Sequence, residues 1–152
     1  WRDHTKAVKD GYEPNKTNGT HYHHLVYGSD TRVLVPDEPE YLLYYEQGGN
    51  KKFMGVMYLT SSMQGSGPQL GGALTPWHYH KYRQPKCHRK GLLTDHSWKT
   101  CSKKKESRKS PEMLHVWFVN HPQGSFGTRM EFVEGRFPKF TDKFRAKLIP
   151  WK

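Results

Sequence analysis

The chain has 152 residues, the size of a single domain, and at that length roughly two-thirds of the unfolded surface can be buried. It carries 25 Lys and Arg against 14 Asp and Glu, a net charge of +11, which favours anionic partners or, more simply, solvated basic loops. No run approaches the ~20 apolar residues of a membrane-spanning helix, so no membrane span is expected. No signal peptide is visible, and a start at Trp1 rather than Met gives the expectation of a processed, exported form or a fragment. Hydrophobic residues make up 34% and aromatics 14%, which predicts a small aromatic core wrapped in polar loops.

Residues 1–24 are polar, with much Lys, His, Gly and Asn, and read as an extended arm. The cluster His21-Tyr22-His23-His24 inside it reads as a solvated segment with Tyr22 packed down. In a variant of this reading, the arm folds over the rest and lends a histidine to a site. Arg32-Val33-Leu34-Val35 reads as a short strand and Pro36–Pro39 as a turn. Tyr41–Tyr45 is a strand that Gln47-Gly48-Gly49-Asn50 turns into a hairpin with a third strand, Phe53–Leu59. That strand is almost continuously apolar and so predicted to be central. Residues 61–72 form a loop, and Trp77–Tyr82 the next strand. Residues 83–110 form a basic surface excursion. Met113–Asn120 is the most hydrophobic strand left, His121–Gly124 a turn, and Arg129–Val133 a last strand. Residues 141–148 read as a short helix capped by Thr141 or Asp142. Short strands separated by turn residues predict an all-β fold, a sandwich or barrel. The domain runs over 25–134, between the arm and a carboxy-terminal tail at 135–152.

The most informative stretch is Trp77-His78-Tyr79-His80 together with His115 in Met113–Val119. An extended strand sends alternate side chains to one face, so His78 and His80 project side by side. A third imidazole on another apolar strand would complete a three-histidine site for one divalent transition metal, Zn, Cu, Fe or Ni. Set against this, a chain with 10 histidines makes such pairs easily without a metal. Trp117 and Val119 share the face of His115. His121 lies on the same face, as a fourth ligand or as a group that orients the ligands.

Gly72, five residues, His78, one residue, His80, three residues, Gln84, six residues and Gly91 resemble the first cupin motif, with glutamine where that motif has glutamate. Pro111, His115 and Asn120 form a loose version of the second. The resemblance covers about a third of the chain. It implies a small jelly-roll barrel whose mouth holds a metal on His78, His80 and His115, with Gln84 in the carboxylate position. The segments around Trp77–His80 and Met113–Trp117 are also similar to those of secreted prokaryotic proteins of unassigned function.

Cys87 and Cys101 flank a Lys-rich loop. In an exported protein they would pair, a bridge worth roughly 3 kcal/mol; in the cytosol they would be free thiols or metal ligands. Lys103, Lys104, Lys105, Arg108 and Lys109, interleaved upstream with Tyr82, His88 and Trp98, form a patch for an anionic partner. No nucleic-acid-binding motif accompanies it, so an acidic protein or cell-envelope polymer fits at least as well as nucleic acid. Glu38, Glu40 and Glu46 flank the Tyr41 strand, where a general base could sit, but spacing singles out none. No nucleophile elbow or phosphate loop is present. The sequence thus leads to an exported, cupin-like metal-binding protein with no assigned catalytic residue. The alternative is an extracellular structural or interaction subunit with a basic docking face, whose terminal segments suit a homo-oligomer or larger assembly.

Overall fold

The computed structural model describes residues 1–15, 20–47, 49–60, 66–89, 92–94 and 106–129. They form mostly β-structure in two antiparallel sheets, one of five strands and one of three. The larger sheet has the order β1 (Tyr12–Pro14), β2 (His21–His24), β3 (Tyr41–Gln47), β4 (Asn50–Leu59) and β8 (Met113–Trp117). The smaller places β5 (Lys81–Arg89) between β6 (Leu92–Thr94) and β7 (Glu106–Lys109). The all-β expectation holds, and the described strands do not close into a barrel. Among the described residues no helix is long and apolar enough to cross a membrane.

The β3–β4 hairpin is the middle of the larger sheet, with Gln47 opposite Asn50 as the Gly-Gly-Asn sequence predicts. Pairing passes from Leu43–Gly55 to Tyr44–Phe53, so Met54 is an extra residue in β4. This bulge lets Met54 join the face of Leu43 and Met57. Gly55 then lies so close to β8 that a Cβ would stand 2.4 Å from the Val116 carbonyl oxygen. Only glycine lets the two backbones approach this far.

Each face of the sheet buries its own cluster. One holds Ala7, Tyr12, Tyr22, Leu42, Tyr44, Val56 and Tyr58. Three of its tyrosines also donate to backbone carbonyls: Tyr12 to Pro39 at 2.8 Å, Tyr44 to Trp1 at 2.7 Å and Tyr58 to Pro36 at 3.2 Å. The other face holds Tyr41, Leu43, Met54, Met57, Leu59, Met113, Trp117 and Val119.

The extended arm expected over residues 1–24 is instead part of the fold. Asp3 caps a short helix, α1 (His4–Lys9), by accepting the Thr5 N–H at 2.9 Å. The helix ends before Gly11, whose φ of +96° suits a residue without Cβ. β1 and β2 then add to the edge of β3. Three well-spaced apolar anchors, Ala7, Tyr12 and Tyr22, are buried in a segment whose average composition is polar. The strand expected at Arg32–Val35 does not form. Arg32 is held by Asp30 and Glu38, and Leu34 takes a left-handed φ of +59° that a strand cannot contain.

The excursion over 83–110 contains the smaller sheet. Pro85 cannot donate to a ladder, and pairing between β5 and β7 lapses between Lys81 and Lys86 around it. Cys87, on β5, is not a free thiol. Cys101, Lys103, Lys104 and Lys105 lie outside the described residues, as do most of the strand expected at 129–133, the helix expected at 141–148 and the tail.

Glu40 is buried just before β3, where its Oε2 accepts the Leu59 N–H at 3.2 Å. Burial, opposed by its backbone hydrogen bonds, pushes its pKa up to about 8. The folded state therefore holds a proton that the unfolded chain releases near 4.5, and stability falls as pH rises through this window. Between about pH 6.5 and 8 the urea midpoint should drop, with a slope of ~1.4 kcal/mol per pH unit. Glu40→Gln should remove that slope while keeping the acceptor for Leu59.

Candidate metal centre

Three histidines from two parts of the chain lie near one face of the larger sheet. His115 lies in β8 opposite Met57 and is fully buried. His78 lies on the other edge of β8, as an isolated antiparallel bridge to Met113. Its N–H donates to the Met113 carbonyl at 3.1 Å and its carbonyl accepts from Met113 at 2.7 Å. Two residues on, the His80 carbonyl accepts the Ser110 N–H at 3.0 Å, and the His80 N–H donates to the Ser110 hydroxyl at 2.9 Å. The expected Trp77–Tyr82 strand is thus shifted, since its regular ladder begins only at Lys81. Pro76 has no N–H with which to begin one earlier.

The ring of His78 lies 4.8 Å from that of His115 and 5.8 Å from that of His80, centroid to centroid. A tetrahedral ion about 2.0 Å from each imidazole nitrogen sets ring centroids ~5 Å apart. Exposure grades along the series, with His115 buried, His78 partly buried and His80 exposed at the rim. Among the described residues no three His, Cys or acidic side chains form a ready-made metal-holding group. The observation that speaks for a ligand is the state of two nitrogens.

A carbonyl oxygen only accepts, so each ring nitrogen that meets one carries the proton. His115 Nδ1 meets the Gly127 carbonyl at 3.3 Å, and His78 Nδ1 meets the Pro76 carbonyl at 3.1 Å. In both neutral rings Nε2 is then the lone-pair nitrogen, and in both it is buried with no hydrogen-bond partner. Leaving a buried acceptor unsatisfied costs about 1–3 kcal/mol. A backbone carbonyl on Nδ1 with a bare Nε2 is how metal-binding imidazoles are commonly oriented.

Gly127 holds this corner. Its carbonyl also accepts the Trp117 Nε1–H at 2.7 Å, so Trp117 and His115 share one acceptor. A Cβ on Gly127 would fall 2.0 Å from His121 Nδ1. His121, anticipated as a fourth ligand or an orienting group, is committed elsewhere. It stacks on Trp117 at 5.0 Å, meets the Arg129 carbonyl through Nε2 at 2.9 Å and accepts the Gln123 N–H through Nδ1 at 3.0 Å. It braces the 121–129 loop. Gln84 is exposed on β5, and no contact joins it to the histidines among the described residues. Of the anticipated basic patch, Arg108 and Lys109 lie exposed on β7.

Two residues of this neighbourhood stand out only in three dimensions. His21, on β2, interacts electrostatically with His80 and His115. Glu112, just before β8, acts on His78, and its buried Oε2 has no hydrogen-bond partner. The three glutamates around β3 go elsewhere. Glu38 pairs with Arg32, Glu46 with Lys51 at 2.9 Å, and Glu40 sits among Tyr12 and Tyr58 on the opposite face. His24 is structural, stacked on Tyr27 at 3.8 Å with Nε2 on the Asp10 carbonyl.

No family model, curated protein or solved structure matches the chain.

Burial is the main cause that keeps these imidazoles neutral, and their mutual repulsion adds to it. His115 is held well below the usual imidazole range, His78 is lowered, and His21 is brought down to about 4. Below pH 6.5 the unfolded chain binds protons that the folded chain refuses, so stability falls on acidification from about 6.5 toward 4. Buried His115 alone should contribute ~1.4 kcal/mol per pH unit to that slope. The two strongly lowered groups, His115 and His21, together outweigh the single opposing slope of Glu40. Urea midpoints between pH 7 and 5 should fall, and His115→Gln should make the decline shallower.

Proposed function

We propose that the chain is an exported, cupin-like protein that binds one divalent transition metal through His78, His80 and His115. The observation that carries this reading is the pair of buried, unpartnered Nε2 atoms on His78 and His115, each with Nδ1 turned to a backbone carbonyl. The cupin-like spacing around His78 and His80 and the ring separations support it, as does the all-β architecture. The jelly-roll form is part of the proposal. A bound ion would supply Lewis acidity. The chain's own part is to hold the imidazoles neutral and correctly tautomerised, with Trp117 and Met113 as dry neighbours and His80 facing solvent. Export accords with Cys87 lacking a free thiol, and pairing with Cys101 would close the loop between them.

Purified native protein should contain about one equivalent of Zn, Cu, Fe or Ni, and the triple change of His78, His80 and His115 to Ala should abolish it. Elemental analysis of both proteins decides the matter, and no metal in the native protein would falsify the reading. Loss of fold on chelation would mark the ion as structural.

A second reading rests on a separate observation. Lys81, Arg83, Lys86, Arg108 and Lys109 are exposed on β5 and β7, and no ion pair among the described residues engages them. Lys86 lies over Tyr82 at 4.8 Å and Lys109 over Tyr79 at 4.6 Å. This basic and aromatic ribbon suits docking on an acidic protein or cell-envelope polymer, with the histidines then structural. Retention on a polyanionic resin should weaken steeply with salt, and Arg83→Glu with Lys86→Glu should release the protein at markedly lower salt. Equal elution of the variant and the native protein would rule the ribbon out.

A further inference from the structure

The smaller sheet contains a rung that works against its own stability. Lys81 of β5 lies directly opposite Lys109 of β7. The Ser110 N–H donates to the His80 carbonyl at 3.0 Å, so the next rung, Lys81–Lys109, is of the kind without mutual hydrogen bonds, in which facing side chains come closest. Two like charges so placed destabilise a strand pair. Both lysines are exposed, and no ion pair among the described residues engages either.

A third cation is turned onto the same face. Between the Lys81–Lys109 and Lys86–Ser107 rungs, residues 82–85 of β5 stand against Arg108 alone. Plain alternation would send Lys86, an odd number of residues after Lys81, to the other side. The irregularity around Pro85 re-aims it, as bulges do. Lys86 shares a face with its partner Ser107, and Ser107 shares one with Lys109, two residues on. These lysines also cover the nearby rings. Lys86 Nζ lies over Tyr82 at 4.8 Å and Lys109 Nζ over Tyr79 at 4.6 Å, which steadies both ammonium groups and takes those ring faces. The outer edge of β7 is capped as well. The Lys109 N–H, directed away from β5, donates to the Ser107 hydroxyl at 3.0 Å.

We infer that Lys81, Lys86 and Lys109 form a binding site for a base-free phosphate polymer. The inference rests on the reading of the ribbon as a docking face and deepens it by naming the partner's chemistry. An extended acidic peptide gains affinity by adding to a strand edge, but Ser107 has taken the N–H it would need at Lys109. Single-stranded nucleic acid draws on open aromatic faces, and here lysines occupy faces of Tyr79 and Tyr82. What the ribbon offers is charge. Ammonium groups are compact point charges that suit phosphate, whereas the planar fork of arginine is the better match for carboxylates. A phosphate laid across the Lys81–Lys109 rung replaces repulsion by attraction to a shared anion.

Full-length protein is titrated at low salt with labelled inorganic polyphosphate, poly-glutamate and oligothymidylate, and affinity is read by fluorescence anisotropy. Polyphosphate should bind tighter than poly-glutamate of equal charge by about 10-fold or more, and oligothymidylate no tighter than polyphosphate. Changing Lys81, Lys86 and Lys109 together to Gln should flatten the plot of log affinity against log salt by about 2, from three contacts of ~0.7 each. Changing Lys6, Lys9 and Lys52 to Gln removes the same charge from exposed positions on α1 and β4 and should leave binding nearly native. Lys81→Gln alone removes the like-charged rung, so its urea midpoint should hold while its polyphosphate affinity falls, which separates lost binding from lost fold. Equal losses in the two triple variants would overturn the site. Poly-glutamate or oligothymidylate binding tighter than polyphosphate would overturn the phosphate assignment and leave the ribbon standing as a docking face. Failure to bind any of the three polymers would remove both.

Discussion

Strand β8 can dock where it does because residue 55 has no side chain. The Val116 carbonyl occupies the space that a Cβ would need, and the rest of the histidine-bearing face follows from that approach. β8 brings in His115 and Trp117. Its far edge then holds His78 through the Met113 bridge, and the chain beyond it folds back so that Gly127 can take the Trp117 and His115 N–H groups. The bulge at Met54 serves the same contact, because it sets the phase of β4 that places Gly55, and not a larger neighbour, against β8.

The sheet separates two electrostatic regimes. On the α1 side a carboxyl is kept protonated among tyrosines whose hydroxyls bind backbone carbonyls. On the other side imidazoles are kept unprotonated against methionine, leucine and tryptophan. Both follow from one cause, the cost of placing charge where water is excluded. That cost drives an acid and a base each to its neutral form. Neutral imidazole is also the form in which a histidine can ligate a metal, and exclusion of water from this face favours that form.

What could be read from the sequence was what local pattern dictates. The Tyr41–Leu59 hairpin follows from alternation and a Gly-Gly-Asn turn, and Met113–Trp117 from a compact apolar run. The amino-terminal strands were hidden because their anchors, Ala7, Tyr12 and Tyr22, are single residues in polar surroundings, and their pairing is decided by β3. Arg32–Val35 has the composition of a strand, but Arg32 is drawn to Asp30 and Glu38. In the candidate site, alternation and spacing point to the nearness of His78, His80 and His115. The tautomers are not legible there, since they depend on the carbonyls of Pro76 and Gly127, which no spacing rule names. In the sequence His21 is one histidine of a polar segment, and its place on β2 follows from pairing with β3. His121 carried a ligand-like position and proved to be a loop brace.

The order of pairing in the larger sheet also has a kinetic side. β3 and β4 are joined by a tight turn and can zip locally, in about the 1–10 μs of an isolated hairpin. β8 is far along the chain, and its docking must overcome the entropy of closing everything between β4 and Met113. During synthesis from the amino terminus, the hairpin and its β2 edge are complete well before His115 exists. The face meant for the imidazoles therefore stands uncovered for a time, with Met57 and Leu59 open to solvent. In this chain the interval between β4 and β8 is the period of greatest exposure to misassociation, and it ends only when the strand that carries His115 arrives.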